Sequence, residues 1–269
     1  MTESFRLRPV RRELDVQLVS RDPAGAAAFY RDVLGLALAA DSEAVEPTVS
    51  IGGHRIEIVS AGADCSMTRG GTARAIGMRL LAFVLDDLAS VTARLDAAGH
   101  RYQAPPVPRS APYSVAFTAD PDGNALELVG LAKPAGEALT ARLQIGLTVR
   151  DAARSREFYG SALGLREEPP MKLPPTMGVA GDVRYGFLAG RTTIKFWSYD
   201  RELPVETGAP ATRTGIRRLC ARVDDVDTLH AVLCERGVSI EAPPHDGPNG
   251  RAMNILDPDG NLIELAQRG

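Results

Sequence analysis

Residues 143–165, LQIGLTVRDAARSREFYGSALGL, restate residues 14–36, LDVQLVSRDPAGAAAFYRDVLGL. Arg-Asp, Phe-Tyr and Leu-Gly-Leu fall at the same offsets: Asp22 precedes Phe29, Tyr30, Leu34 and Gly35 by the distances that separate Asp151 from Phe158, Tyr159, Leu163 and Gly164. A second match closes each half, DPDGNALEL at 120–128 and DPDGNLIEL at 257–265. The 269-residue chain is a tandem duplication. Its copies span 10–131 and 141–268, joined by the linker 132–140, and a repeat of this length makes each copy a folding module.

Each copy contains a fainter copy of itself. LLAFVLDDLASVTARLDAAG (80–99) and RLCARVDDVDTLHAVLCERG (218–237) run through the same order of strand, Asp, amphipathic helix and glycine. Asp22, Asp87, Asp151 and Asp225 stand where a helix begins and offer a carboxylate to its unpaired first-turn N–H groups. Gly35, Gly99, Gly164 and Gly237 stand where it ends, in the left-handed conformation that glycine adopts cheaply. Leu88, Val91 and Leu95 mark the buried stripe of one such helix. HRIEIVS (54–60) and TTIKFWSYD (192–200) alternate as strands, and the DPDGN segments read as hairpin turns. The expected class is α+β, with four βαβββ units, two per copy.

Composition narrows the function. Thirty-one Lys+Arg against thirty-four Asp+Glu give a formal charge of -3, which supplies no global field for nucleic acid or an anionic membrane. No stretch approaches the roughly 18–20 apolar residues of a membrane span, and the N-terminus lacks an apolar signal region, so a cytoplasmic protein is expected. Cys65, Cys220 and Cys234 form no CxxC, which argues against a disulfide framework and a thiolate zinc site. The basic residues are nearly all arginine, with only Lys133, Lys172 and Lys195 as lysines, a skew typical of a GC-rich bacterial genome.

VRDAARSREFYGSALGL, VDDVDTLHAVLCERGV and DPDGNLIEL, with their first-copy partners, resemble the vicinal oxygen chelate superfamily, which includes glyoxalase I, bleomycin-resistance proteins, extradiol dioxygenases and methylmalonyl-CoA epimerase. The resemblance covers nearly the whole chain. It implies that pairs of βαβββ units curl into incomplete barrels, two glyoxalase-like modules, whose concave face holds a small molecule and often a metal. One fold hosts isomerases, lyases, dioxygenases and drug-binding proteins, so function has to be read from that face.

Strand alternation points Glu127 and Glu264 into the cups. In the family this closing glutamate is commonly a metal ligand, partnered by a histidine seven residues before the capping Asp. The corresponding positions here are Asp15, Leu80, Gln144 and Arg218, and none is histidine. An extradiol dioxygenase, which needs two histidines and a carboxylate on iron, is disfavoured. Glyoxalase-like members add a ligand at the positions of Glu57 and Lys195. If unit one pairs with unit four, Asp15, Glu57 and Glu264 gather beside Arg218 and form either an oxygen-rich site for Mg2+ or Mn2+ or a charge network neutralised by arginine. If unit two pairs with unit three, Leu80, Glu127, Gln144 and Lys195 meet. The expectation is no cofactor, with a divalent metal as the fallback.

Alternation within the second copy turns Gln144, Thr148, Lys195, Trp197, Tyr199, Arg218 and Arg222 to one side, and a single basic, aromatic second cup is expected opposite an acidic first one. A planar ligand would stack on Trp197 and Tyr199 with its anionic group on Arg218 or Lys195. Glu264 would be the general base and Arg218 the charge stabiliser; the other reading makes these residues an interface between the copies. His245, in PPHDGPNGR, and the Pro-rich stretch 167–178 are expected on loops. Three functions follow, in order: a metal-free enzyme of lyase or isomerase type acting on a small aromatic or enolisable anion; a drug-binding protein without chemistry; a metal-dependent isomerase or lyase. The chain acts as a monomeric pseudo-dimer or as a homodimer.

Overall fold

A computed structural model describes residues 7, 9–11, 13–39, 46–68, 70–102, 107–110, 113–131, 142–208, 212–247 and 250–267. The linker 132–140 lies outside the described residues. The first unit comprises β1 (Asp15–Ser20), α1 (Pro23–Ala28), β2 (Ala37–Leu38), β3 (Thr48–Ile51) and β4 (His54–Ser60). The second comprises β5 (Gly77–Leu85), α2 (Leu88–Ala97), β6 (Val107–Ser110), β7 (Tyr113–Ala119) and β8 (Ala125–Leu131). The third has β9 (Leu143–Thr148), α3 (Ala152–Arg156), β10 (Arg166–Glu167), β11 (Met171–Lys172), β12 (Val183–Ala189) and β13 (Thr192–Trp197). The fourth has β14 (Gly215–Val223), α4 (Val226–Glu235), β15 (Ser239–Gly247), β16 (Gly250–Leu256) and β17 (Leu262–Gln267).

The helix signals work as the sequence implies. Asp22, Asp87, Asp151 and Asp225 accept hydrogen bonds from the backbone N–H groups of Gly25, Ser90, Ala153 and Thr228 respectively. Gly35, Gly99, Gly164 and Gly237 all have φ between 66° and 80°. The Phe-Tyr pairs have a further cause. In both copies α1 and α3 run on into a wider π-helical turn, with Leu34 N–H donating to Phe29 O and Leu163 N–H to Phe158 O across five residues. The widened turn directs Phe29 with Tyr30, and Phe158 with Tyr159, into the core together.

Among the described residues the strands form two sheets, ordered β15-β16-β17-β14-β1-β4-β3-β2 and β10-β12-β13-β9-β5-β8-β7-β6, with β11 on β12. Each sheet thus takes one unit from each copy. The first strands of paired units meet antiparallel, β1 on β14 and β5 on β9. We call the concave side of the first sheet, from units one and four, the outer cup, and that of the second, from units two and three, the inner cup. The expected acidic first cup and basic, aromatic second cup are not found. Alternation correctly sorts residues between faces, but it carries no information on which remote edge a strand will join.

The two units of each copy are tied across the two sheets by the repeated motifs. Tyr30 Oη donates to Asp120 at 2.9 Å, and Tyr159 Oη donates to Asp257 at 2.9 Å. Each Asp also accepts from the backbone of its own DPDGN turn and from the Asn124 or Asn261 amide. These carboxylates are buried yet fully engaged, which is why the motif recurs intact. At a second junction Arg79 and Arg217, equivalent in the two copies, surround buried Glu206. Arg79 pairs with its carboxylate at 3.1 Å, while Arg217 donates to its backbone oxygen and to Thr68 Oγ1. Burial together with the charges of Arg79 and Arg213 pulls Arg217 down to about 10. One hydrophobic core, running from Val16 and Ile56 through Phe83 and Leu126 to Phe187 and Ile263, fills the helix-covered sides of both sheets.

Candidate functional site

The outer cup is polar. Gln17 lies opposite both Glu57 on β4 and Arg218 on β14, while Cys220 and Asn254 flank Glu264 on β17. Gln17 Nε2 donates to Glu57 Oε2 at 2.8 Å, Arg218 Nη1 donates to Glu264 Oε2 at 2.6 Å, and Arg218 Nη2 stands 3.8 Å from Glu57. Both members of the Arg218–Glu264 pair keep about a fifth of their side-chain surface exposed, 22% and 21%. Asp15 turns to the rim, where it accepts from Arg11 at 2.7 Å and from Arg55 N–H at 3.0 Å. Burial raises the Asp15 carboxyl, with Arg11 and Arg222 opposing the shift. Burial, reinforced by Glu264, pushes the Cys220 thiol far up, so it stays protonated.

The inner cup is mostly apolar with one buried polar group. Lys195 Nζ donates to Glu127 and, at 3.0 Å, to Gln144 Oε1, and its side chain is only 5% exposed. Beside it Trp197 and Leu80 pack with Leu173 and Val179 into a small apolar cluster separate from the main core, with Met177, Ala125 and Tyr199 against it. Leu173 and Val179 belong to the Pro-rich excursion of unit three. That segment is fastened down by backbone bonds: Glu168 N–H to Gly186 O, Leu173 N–H to Asp182 O and Ala180 N–H to Ser198 O, all 2.8–2.9 Å. The 167–178 stretch is therefore a cover over the inner cup. Pro169, Pro170 and Pro174 precede a single 3-10 turn, Pro175–Met177, with Pro174 extended at its start, and Gly178 closes that turn at φ 62°. Gly146 makes room beneath: a Cβ there would come within 2.8 Å of Leu80 Cβ and 3.3 Å of the indole of Trp197.

The residues singled out in the sequence divide between these two places. Gln144, Lys195 and Trp197 meet in the inner cup. Tyr199 stands at its mouth, where its hydroxyl accepts from Trp197 Nε1 at 3.2 Å and lies 3.3 Å from Thr72 Oγ1. Thr148 is fully buried in the same sheet and donates to Thr72 O. Arg218, Arg222, Glu264, Asp15 and Glu57 lie in the outer cup, away from the aromatic pair. A ligand stacked on Trp197 and Tyr199 therefore has Lys195, and neither Arg218 nor Glu264, in its own cup. His245 sits on the edge strand β15, exposed, with Nδ1 2.9 Å from Pro243 O. The prolines that suggested a loop are tolerated because an edge strand has an unpaired side.

Glu127, Leu80, Leu173, Met177 and Val179 complete the inner cup. The Pro-rich composition was the sequence signal for the last three. A divalent metal, the fallback expectation, fits neither cup. In the outer cup Asp15, Glu57 and Glu264 are each engaged by a different partner, and the permanently charged Arg218 sits on Glu264. In the inner cup the Lys195 ammonium lies between Glu127 and Gln144. Among the described residues no three His, Cys, Asp or Glu side chains form a group that could hold a metal ion. None of the described helices is long and apolar enough to cross a membrane.

Comparison with known proteins agrees with this architecture. Glyoxalase I from Zea mays superposes over 97% of this chain and 92% of its own, with 19% identity and a TM-score of 0.68, a likeness of fold. The Bacillus subtilis (strain 168) protein YraH is 32% identical over 130 residues, 46% of this chain and 94% of that protein, so one module's length is matched. One family model matches twice, at residues 14–128 and 142–265, once in each copy. The chain belongs to the Glyoxalase/Bleomycin resistance protein/Dioxygenase superfamily.

Proposed function

We propose that this protein is a metal-independent, cytoplasmic binder of small molecules, and that it takes a planar, largely apolar ligand into the inner cup. The observation that carries this reading is the separate apolar cluster that Trp197 and Leu80 of the cup form with Leu173 and Val179 of the segment covering it. An incoming aromatic ring replaces the side chains of the cover against Trp197, and the Lys195–Glu127–Gln144 group supplies donors and acceptors at its edge. Neutralised by its own lysine, Glu127 is poorly suited to take a proton from substrate, which favours capture over chemistry. Each sheet is completed by units of a single chain, so a monomer suffices.

Trp197 is the only tryptophan, so its emission reports directly on the cup. Titration with a panel of planar aromatics in the presence of a chelator should give saturable quenching with the ligand recovered unaltered, and calorimetric titration of the same ligand should show affinity weakened in Trp197→Phe. Conversion of the bound compound to product, or binding that a chelator abolishes, would defeat the proposal.

A second reading rests on the outer cup, where Glu264 and Arg218 keep partial exposure. There Glu264 would move a proton on a small enolisable anion while Arg218 holds the developing negative charge. Turnover lost in Glu264→Gln but unchanged in Trp197→Phe would favour this enzyme over the binder.

A further inference from the structure

At three equivalent positions the first copy carries small residues and the second carries larger polar ones. The strand register fixes the equivalence: Gln17 lies opposite Glu57 as Gly146 lies opposite Lys195. Counting onward, Ala61 and Gly62 correspond to Tyr199 and Asp200, and the Arg-Asp motif sets Gly25 against Arg154. All three replacements line one cavity of about 590 Å3, with Arg150 and Asp259 beside them and Ala180 from the end of the cover segment. That volume suits a small organic molecule.

Two of the acids here are already held by backbone. Asp151 accepts from Ala153 and Arg154 N–H at 2.9 and 3.1 Å, and Asp259 accepts from Arg150 N–H at 3.2 Å. The charges of Arg150 and Arg154 act on the Asp259 carboxyl, partly offsetting the burial that raises it to about 6, but neither guanidinium makes a direct ion pair with a described residue. One face of Tyr199 is covered by Arg201, whose guanidinium carbon is 5.6 Å from the ring centroid. We propose that this cleft is a second site, outside the inner cup, for a small planar acid. Its carboxylate or phosphate would sit between Arg150 and Arg154, its ring against Tyr199, and a hydroxyl or amine would donate to Asp200.

The test uses calorimetric titration of the full chain with benzoate, phenyl phosphate, inorganic phosphate and benzylamine. Arg154→Gly, Tyr199→Ala and Asp200→Gly install the first copy's own residues, and Arg154→Gln removes the charge while keeping a helix former. Phenyl phosphate or benzoate should saturate the wild type and weaken about 10-fold or more in Arg154→Gln and Tyr199→Ala. Saturating the inner cup with a neutral planar aromatic should leave that affinity within about twofold, separating the cleft from the cup. Benzylamine binding tighter than either acid, affinities unchanged in Arg154→Gln, or no saturation by any acid would overturn the proposal.

Discussion

The two cups are built from equivalent strands and differ in what closes them. In the inner cup a cover of unit three lies across the floor, and Lys195 and Trp197 are nearly sealed, at 4% exposure each. In the outer cup Arg218, Glu264 and Glu57 remain partly in water. Each cup nevertheless sets a permanent or near-permanent protein cation against the closing glutamate, Lys195 on Glu127 and Arg218 on Glu264. The same arrangement has unequal energetic weight, because Coulomb attraction and desolvation both grow as water is excluded.

Lys195→Met should therefore be the most damaging of the changes considered. It strands Glu127 beneath the cover and should cost about 3–5 kcal/mol in denaturant unfolding, with much of the loss recovered in the double variant Lys195→Met/Glu127→Leu. A loss below about 1 kcal/mol would mean that water reaches the inner cup and that the cups are alike. Asp257→Ala, which leaves Tyr159 Oη and the Asn261 amide without their partner in the second copy, should cost about 3 kcal/mol, and Asp120→Ala about the same in the first. Equal losses would show that the Tyr–Asp ties, unlike the cups, have not diverged. Arg218→Met should cost only about 1–2 kcal/mol, because water can solvate Glu264.

The caps and turns were legible in the sequence because they are local, whereas the Tyr–Asp ties join residues 90 and 98 positions apart and showed only as repeated motifs. Asp at a helix start, Gly at its end and DPDGN at a hairpin each carry their reason within a few residues. Alternation also placed Glu127 and Glu264 on the cup side correctly. What the sequence could not decide was the partner of each unit. Pairing 1 with 4 and pairing 1 with 2 satisfy the same alternation, and the choice depends on contacts such as Gln17 opposite Arg218, two hundred residues apart. Hence Trp197 and Arg218, neighbours in the single-cup expectation, lie in different cups. The cover was visible only as a proline-rich irregularity, since its docking depends on the shape of Trp197 and on glycine at 146. The Arg154, Tyr199 and Asp200 cleft was there to be read by laying one copy on the other.

The smallest expected effect concerns the junction of the copies. His54 is fully buried, its Nδ1 3.2 Å from both Leu14 O and Thr192 Oγ1, and burial lowers its pKa. The unfolded chain then binds a proton that the folded one refuses. No penalty exists above about pH 6.5, and stability falls as pH drops below it, by at most about 1.4 kcal/mol per pH unit. Thermal melts between pH 7.5 and 5 should show this slope reduced in His54→Gln; an identical slope would assign it to other groups.

Lys195 and Arg218 each set a cation of the chain itself against the closing glutamate of a cup, and the metal-independent reading rests on that pairing. Elemental analysis of the purified protein, paired with calorimetric titration of Mn2+ and Zn2+, tests it most directly. The expected result is well under one metal equivalent per chain and no saturable binding to either cup. A stoichiometric metal that disappears in Glu264→Gln or Glu127→Gln would contradict it.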